Sequence, residues 1–224
     1  MRISRSKRLL YGWFVLFAVM LTACTSDSQR GLSEKQQIVD AVMTVEENEY
    51  DLVYFNKPYK QYHEAVNEIV SEEYRASMSG EIVFGYDNET YTRDDLANMP
   101  QEEYDKHKEH MLNIIRGMGM DKISATVRIS DVYAGNQSNQ VQIYTIEKKE
   151  LNNQPFTATT KRYALEKHGD KWLINDVEYD KYTYGSEMKA EELDKGLKGL
   201  KYQTHDGEVI DYPTVVVLSG VGGE

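Results

Sequence analysis

The chain has 224 residues, of which 26 are lysine or arginine and 37 are aspartate or glutamate, giving a formal net charge of −11 at pH 7. A protein this acidic repels nucleic acid, and no basic stripe offsets that repulsion, so we expect no nucleic-acid partner. The single cysteine excludes an intramolecular disulfide. Seventeen tyrosines against five phenylalanines indicate half-exposed sheets or semi-polar cavities, because tyrosine joins an apolar ring to a polar tip.

The first 23 residues have the pattern of a secretory signal. A basic head ending at Arg8 precedes an apolar run from Leu9 to Ala23, which is short for a membrane-spanning helix of about 20 residues. The run ends in Leu21-Thr22-Ala23-Cys24, which resembles the lipobox of bacterial lipoprotein precursors. The resemblance implies that the Cys24 sulfur receives a diacylglyceryl group, with acyl chains such as palmitate, and that cleavage separates Ala23 from Cys24.

The alternative for this segment is an uncleaved transmembrane anchor with an incidental cysteine. Both interpretations place the remainder on the same side, so we expect a protein at the cell membrane that faces outside the cytoplasm. Residues 24–32 are polar and read as a tether. Beyond residue 23 the chain carries 22 basic and 37 acidic residues, a net charge of −15, so acyl chains rather than charge would attach it to the membrane.

Helical periodicity begins at Ser33-Glu34. Apolar residues recur at three- and four-residue steps through Leu52, and Pro58 interrupts the pattern because the residue before a proline disfavours helix. A second helical run follows from Tyr59 to Tyr74. These runs predict two consecutive amphipathic helices joined by a kink.

A small hairpin and a further helix follow. Glu81 to Tyr86 and Thr90 to Thr92 flank a polar turn, and Thr92 with Asp95 resembles a capping box. The next helix is predicted to begin near Pro100 and to end at Gly117 and Gly119.

The following segment is strand-like. Residues 123–130 alternate between apolar and polar with a period of two, and residues 141–146, 156–167 and 172–179 continue in β-prone runs joined by short turns. Three long antiparallel strands with short connections predict a curled meander whose apolar face the helices cover. The fold class is therefore α+β.

This order of elements resembles the cone-shaped α+β fold of the nuclear transport factor 2-like superfamily over residues 33–185. The nearest motif is the hairpin that leads from Tyr163 through Gly169-Asp170 to Trp172, because many such domains place a tryptophan after a Gly-Asp turn. The resemblance implies a pocket between sheet and helices. It also implies that a homodimer through the open sheet face is compatible with the fold.

Residues 186–224 form a C-terminal extension in this interpretation. Glu187 to Lys201 read as a short polar helix, and the β-prone tail from Pro213 is expected to pair with a sheet edge of its own domain rather than with that of a partner, because unpaired apolar strands are normally covered.

No assembled catalytic motif is present. His107 and His110 lie three residues apart, with Glu103 one turn earlier, but the segment is charged on nearly every side and reads as a solvated helix face, so we expect no metal and no cofactor. Catalytic residues cannot be named. The candidate pocket residues are aromatic, and they can equally be core and rim packing: Tyr50, Tyr54, Tyr62, Tyr144, Tyr163 and Trp172.

Two functions remain open. The first is a lipid-anchored binding or accessory lipoprotein of the bacterial cell envelope without catalysis, whose partner is an envelope protein or a peptide. The alternative is an extracytoplasmic enzyme, of isomerase or hydrolase type, that uses the cone pocket. A buried Asp or Glu facing two tyrosines would favour the enzyme, whereas a pocket filled by aliphatic and tyrosine side chains would favour the binding module.

Overall fold

The structure is a computed structural model that describes residues 34–86, 89–183, 207 and 209–222. The signal segment with Ala23 and Cys24, the tether 24–32 and the predicted helix Glu187–Lys201 lie outside the described residues. The described residues from Ile38 onward form one compact unit that contains the whole described hydrophobic core. Within the described part of the chain, no helix is both long enough and apolar enough to cross a membrane.

Three helices come first, where the periodicity predicts two. Helix α1 covers residues 34–53, and α2 covers Tyr59–Asn67 after Pro58. The second predicted run does not continue through Tyr74: α2 ends at Asn67, and Val70 forms a parallel bridge with Ile174. Ser71 then caps a separate helix, α3 (Glu72–Ser79), by accepting a hydrogen bond from the Tyr74 amide.

The predicted hairpin and the helix after it are confirmed. Strands β1 (Ile82–Tyr86) and β2 (Glu89–Thr92) pair antiparallel. The capping box of Thr92 and Asp95 begins a short helix, α4 (Arg93–Asn98), which the sequence did not indicate as a separate element. Helix α5 (Gln101–Gly117) follows Pro100.

The sheet is larger than the predicted meander. Its strands are β3 (Ile123–Ile129), β4 (Tyr133–Ala134), β5 (Gln140–Leu151), β6 (Gln154–His168), β7 (Lys171–Thr183) and β8 (Thr214–Ser219). The five long strands lie in the order β7-β6-β5-β3-β8, all neighbours antiparallel, with β4 beside β5 and without closure into a barrel among the described strands. The α+β class is therefore confirmed.

The strand register defines which side chains share a face. Ile143 lies opposite Tyr163, and Val127 lies opposite Glu147 on one side and Val216 on the other. These side chains belong to the helix-facing side of the sheet, where the main core cluster joins α1, α2 and α5 to β3, β5 and β6. Intervening residues such as Tyr144 lie on the opposite side.

The β-prone tail pairs within its own chain, as predicted. Strand β8 extends the sheet next to β3, and its side chains alternate between half-buried and exposed. Val216 packs against the main core, whereas the next residue, Val217, is 71% exposed.

This alternation predicts a contrast between two neighbouring substitutions. Val216→Asp should lower the free energy of unfolding by about 2 kcal/mol, because it puts a carboxylate against the core. Val217→Asp should change it by less than about 0.5 kcal/mol, because the side chain stays in water. Urea denaturation of both variants measures the difference, and equal losses would contradict the register of β8.

Candidate functional site

A buried carboxylate fixes α1 to the sheet. Glu46 is 2% exposed, and its Oε1 accepts hydrogen bonds from the Thr145 hydroxyl at 2.7 Å and the Tyr163 hydroxyl at 2.9 Å. Its Oε2 accepts from the Lys161 ammonium at 2.6 Å. Three donors from β5 and β6 thus meet both oxygens of one carboxylate.

The pKa values of the partners reflect this environment. Burial alone would lower the pKa of Lys161, but the carboxylates of Glu46 and Glu147 outweigh burial and raise it above the ordinary lysine value. Burial first, and then Glu46, raise the pKa of Tyr163 well above that of a free tyrosine. Lys161 is therefore a fixed cation and Tyr163 a neutral donor at physiological pH.

A second polar cluster lies where α4 meets α1. The Arg93 guanidinium is 2.8 Å from Glu81 and 3.2 Å from Glu49, and the Tyr62 hydroxyl donates to Glu49 at 2.6 Å. Arg93 also donates to the Tyr62 hydroxyl and lies over its ring. Burial, followed by the charge of Glu49, raises the pKa of Tyr62, so its hydroxyl stays protonated.

Between these clusters lies a cavity of about 460 Å³, here called the charged cavity. Three carboxylates, three cations and four tyrosines line it, together with Thr159 and four apolar side chains. The charged and tyrosine residues are Glu49, Glu81, Glu147, Arg93, Lys149, Lys161, Tyr50, Tyr74, Tyr163 and Tyr179.

A second cavity of about 550 Å³, here called the apolar cavity, lies at the C-terminal end of α1. Its walls come from the end of α1, from β1, α4 and α5 and from β5 and β6. Twelve of its lining side chains are apolar or aromatic, and the two others are Lys149 and Thr157: Leu52, Val53, Tyr54, Phe55, Val83, Leu96, Tyr104, Met111, Ile115, Met118, Met120, Lys149, Phe156 and Thr157. Val53 and Met118 are 48% and 59% exposed, which leaves apolar surface in contact with water.

The two cavities share a wall. Val53 and Lys149 line both of them. The Lys149 ammonium is 3.4 Å from the Glu147 carboxylate and 5.6 Å from the centre of the Tyr54 ring. One cation thus stands between an apolar compartment and a charged one.

Four of the predicted pocket residues lie on the helix-facing side or on the helices. Tyr50 and Tyr163 line the charged cavity, and Tyr54 lines the apolar cavity. The rings of Tyr50 and Tyr54 are 4.7 Å apart, and burial together with the Asp51 charge raises the pKa of Tyr50 to about 12. Tyr62 belongs to the Arg93 cluster.

The other two predicted residues are not brought to this site. Tyr144 points to the opposite side of the sheet, where its hydroxyl donates to Gln142 at 2.5 Å and its ring meets Tyr133 edge-on. Trp172 lies at the start of β7 beneath the Lys167 ammonium.

The prediction of a solvated face on α5 is wrong at His107, which is buried against the ring of Tyr91. The described residues contain no group of three or more His, Cys, Asp or Glu side chains that could hold a metal ion.

Sequence reasoning missed the charged residues of the site. Glu147 and Lys149 follow Ile143 at two-residue steps, and Lys161 precedes Tyr163 by two, so strand alternation places all three on the core side. Glu46 follows Val42 by one helical turn. The sequence signal for the site was therefore the presence of polar residues at positions whose periodicity places them on the core side.

Comparison with known protein families, with curated proteins and with solved structures finds no match for this chain. The functional proposal therefore rests on the chemistry of the site.

Removing the Lys161 charge tests the Glu46 cluster. Lys161→Met should lower the free energy of unfolding by about 3–5 kcal/mol, because it leaves a buried carboxylate without its cation. Adding Glu46→Gln should recover part of that loss by making the partner neutral. Lys148→Met, on the opposite side of β5, is the matched control and should cost less than about 1 kcal/mol. Denaturant unfolding provides the measurement, and an equal loss in Lys161→Met and the double variant would contradict the coupling.

Proposed function

We propose that this protein is a lipid-anchored, extracytoplasmic binding or accessory lipoprotein of the bacterial cell envelope, and that its apolar cavity holds the apolar part of its ligand. The lipobox pattern from Leu21 to Cys24 supports the anchor. The acyl chains on Cys24 would hold residues 33–224 at the outer side of the membrane. The partner that we propose is an envelope component, an envelope protein or a peptide. A homodimer through the open sheet face is compatible with this function.

We also infer that residues 33–185 belong to the nuclear transport factor 2-like superfamily. Support comes from the order of elements, with helices before a hairpin, a helix and a long antiparallel meander. The helices cover one side of the sheet and leave cavities between, which suits a cone-shaped domain.

Intact mass spectrometry of the protein purified from bacterial membranes tests the anchor. The wild-type chain should begin at Cys24 and carry the added mass of its acyl chains. Cys24→Ala should lose that added mass, because the acceptor sulfur is gone. An uncleaved chain without acyl mass would contradict the lipoprotein proposal and leave Leu9–Ala23 as a plain anchor.

The observation that carries the binding function is the composition of the apolar cavity. Ligand sites are concave and mostly apolar with a few placed polar groups, and this cavity has the size and character of such a site. Three of its lining residues are methionines: Met111, Met118 and Met120. Methionine is flexible and polarizable, so such walls adapt to apolar ligands of varied shape.

The state of Glu46 also favours binding over catalysis. A general base needs an oxygen within hydrogen-bond reach of the substrate proton. Both oxygens of Glu46 already accept bonds from Thr145, Tyr163 and Lys161. At Glu49, Tyr62 and Arg93 both contact one oxygen, Oε1.

A larger side chain at Val53, which lines both cavities, tests this proposal. The protein used is the chain from residue 24 with Cys24→Ser, which retains every described element. Val53→Trp should weaken binding of the neutral dye N-phenyl-1-naphthylamine by about tenfold, because the indole takes up space in the cavity; the corresponding loss is about 1.4 kcal/mol. Val217→Trp adds the same side chain on the far side of the sheet and should leave the fluorescence titration unchanged. Equal affinity in the two variants would mean that the dye binds elsewhere.

The alternative function, an isomerase- or hydrolase-type enzyme, has one observation in its favour. Buried Glu46 faces Tyr163, and Tyr163 also lines a cavity of substrate size. Among the described residues, Glu46 accepts a hydrogen bond from this one tyrosine. The arrangement expected for such an enzyme has two tyrosines facing the carboxylate. Turnover that Tyr163→Phe abolishes in a folded protein would favour the enzyme.

A further inference from the structure

The two cavities follow one another in a fixed chemical order. The apolar cavity contains one charged side chain among its described lining residues, Lys149, and that residue stands where the charged cavity begins. Beyond it lie the carboxylates Glu49, Glu81 and Glu147, and the two further cations there, Arg93 and Lys161, are already paired with carboxylates. A ligand that spans both compartments therefore meets apolar walls, then an ammonium, then carboxylates.

The charges of the second compartment select against a headgroup with a net charge. The three cations each lie near a carboxylate: Arg93 is 2.8 Å from Glu81, Lys149 is 3.4 Å from Glu147, and Lys161 is 2.6 Å from Glu46. A purely anionic headgroup would compete with these carboxylates for the cations. A purely cationic headgroup would lie against the Lys149 ammonium at the junction.

Tyrosines add a preference for one kind of cationic group. Tyr50, Tyr74 and Tyr163 line the charged cavity, and Tyr179, which is 69% exposed, lies on β7 as a fourth tyrosine wall. Aromatic faces attract ammonium groups, and quaternary ammonium ligands are recognised in this way. Carboxylates among the tyrosines strengthen that attraction.

We infer that the two cavities form one site for a single-chain zwitterionic phospholipid, with its acyl chain in the apolar cavity, its phosphate at Lys149 and its ammonium among the carboxylates and tyrosines beyond. The order of groups in such a lipid, chain then phosphate then ammonium, matches the order of the compartments. This inference rests on the proposed function of the apolar cavity. It deepens that function by naming the ligand class.

Calorimetric titration with amphiphiles that share a twelve-carbon chain tests the headgroup. The protein is the chain from residue 24 with Cys24→Ser, and each probe is kept below its critical micelle concentration. Dodecylphosphocholine should bind at least about tenfold more tightly than laurate, dodecyltrimethylammonium or dodecyl maltoside, a difference of about 1.4 kcal/mol. Glycerophosphocholine, which has the headgroup without the chain, should bind too weakly to measure.

Three variants locate the headgroup. Lys149→Gln should lose the preference for dodecylphosphocholine over dodecyl maltoside, and Lys149→Arg should keep it, because the positive charge remains. Tyr179→Ser changes an exposed side chain, so it should fold normally. It should weaken dodecylphosphocholine by severalfold without affecting laurate. Thermal unfolding checks that each variant is folded.

The outcomes separate this inference from the proposed function. Equal affinity for dodecylphosphocholine and dodecyl maltoside would overturn the zwitterionic headgroup and leave the apolar binding function standing. Tightest binding of laurate or dodecyltrimethylammonium would overturn it in the same way. Strong binding of glycerophosphocholine would overturn the need for a chain. Binding of none of the probes would overturn both the zwitterionic headgroup and the ligand-binding role of the apolar cavity.

Discussion

The arrangement of the molecule depends on the buried carboxylate of Glu46. A charge removed from water costs several kcal/mol unless hydrogen bonds and an opposite charge replace its hydration. Here Thr145, Lys161 and Tyr163 provide that replacement from two neighbouring strands. Because these three donors converge on one turn of α1, they fix both the height and the rotation of the helix above the sheet. Buried ion pairs contribute little net stability in many proteins. The clearer consequence of the pair between Glu46 and Lys161 is that it positions α1 on the sheet.

The position of α1 explains why two different compartments adjoin. Glu46 bonds to polar residues of β5 and β6, and Glu49 and Tyr50, about one turn further along α1, line the charged cavity together with Lys161. Helix α1 then ends with Leu52 and Val53 in the lining of the apolar cavity, and Tyr54 and Phe55, whose φ is 57°, continue that lining after the helix. The Tyr50 hydroxyl donates to the Ile123 carbonyl oxygen at 3.2 Å and joins this end of α1 to β3. The same helix therefore forms a wall of both cavities.

The sequence was sufficient for most of the long elements and for the α+β class, because helical and strand periods are local properties. It failed where a tertiary contact overrides a local pattern. Val70 has the helical phase of its neighbours, yet it lies outside the helices and pairs with Ile174. The capping box at Thr92 was visible, but the short helix that it begins was not expected.

The candidate site was harder to predict, because its assignment depends on register. Tyr163 lies opposite Ile143, and this one-residue difference sends Tyr144 to the other side of the sheet. Strand β5 carries buried apolar or aromatic side chains on both faces, so alternation alone does not say which face the helices cover. The ion pair of Glu46 and Lys161 joins residues 115 positions apart, so neither residue type nor spacing reveals it. The polar residues at core positions were the available signal, and the predicted site residues were instead all aromatic.

A site made of paired charges can discriminate between ligands mainly through the ion pairs that an unsuitable ligand would break. A neutral headgroup leaves the pairs Lys149–Glu147 and Arg93–Glu81 intact but gains no ionic contact. A singly charged headgroup gains one contact and at the same time weakens the pair from which it takes its partner. A zwitterion supplies both charges, so each side chain that turns toward the ligand exchanges one opposite charge for another. Specificity of this kind comes from the cost imposed on competitors, and in the proposed site the apolar cavity next to the charges would supply the affinity.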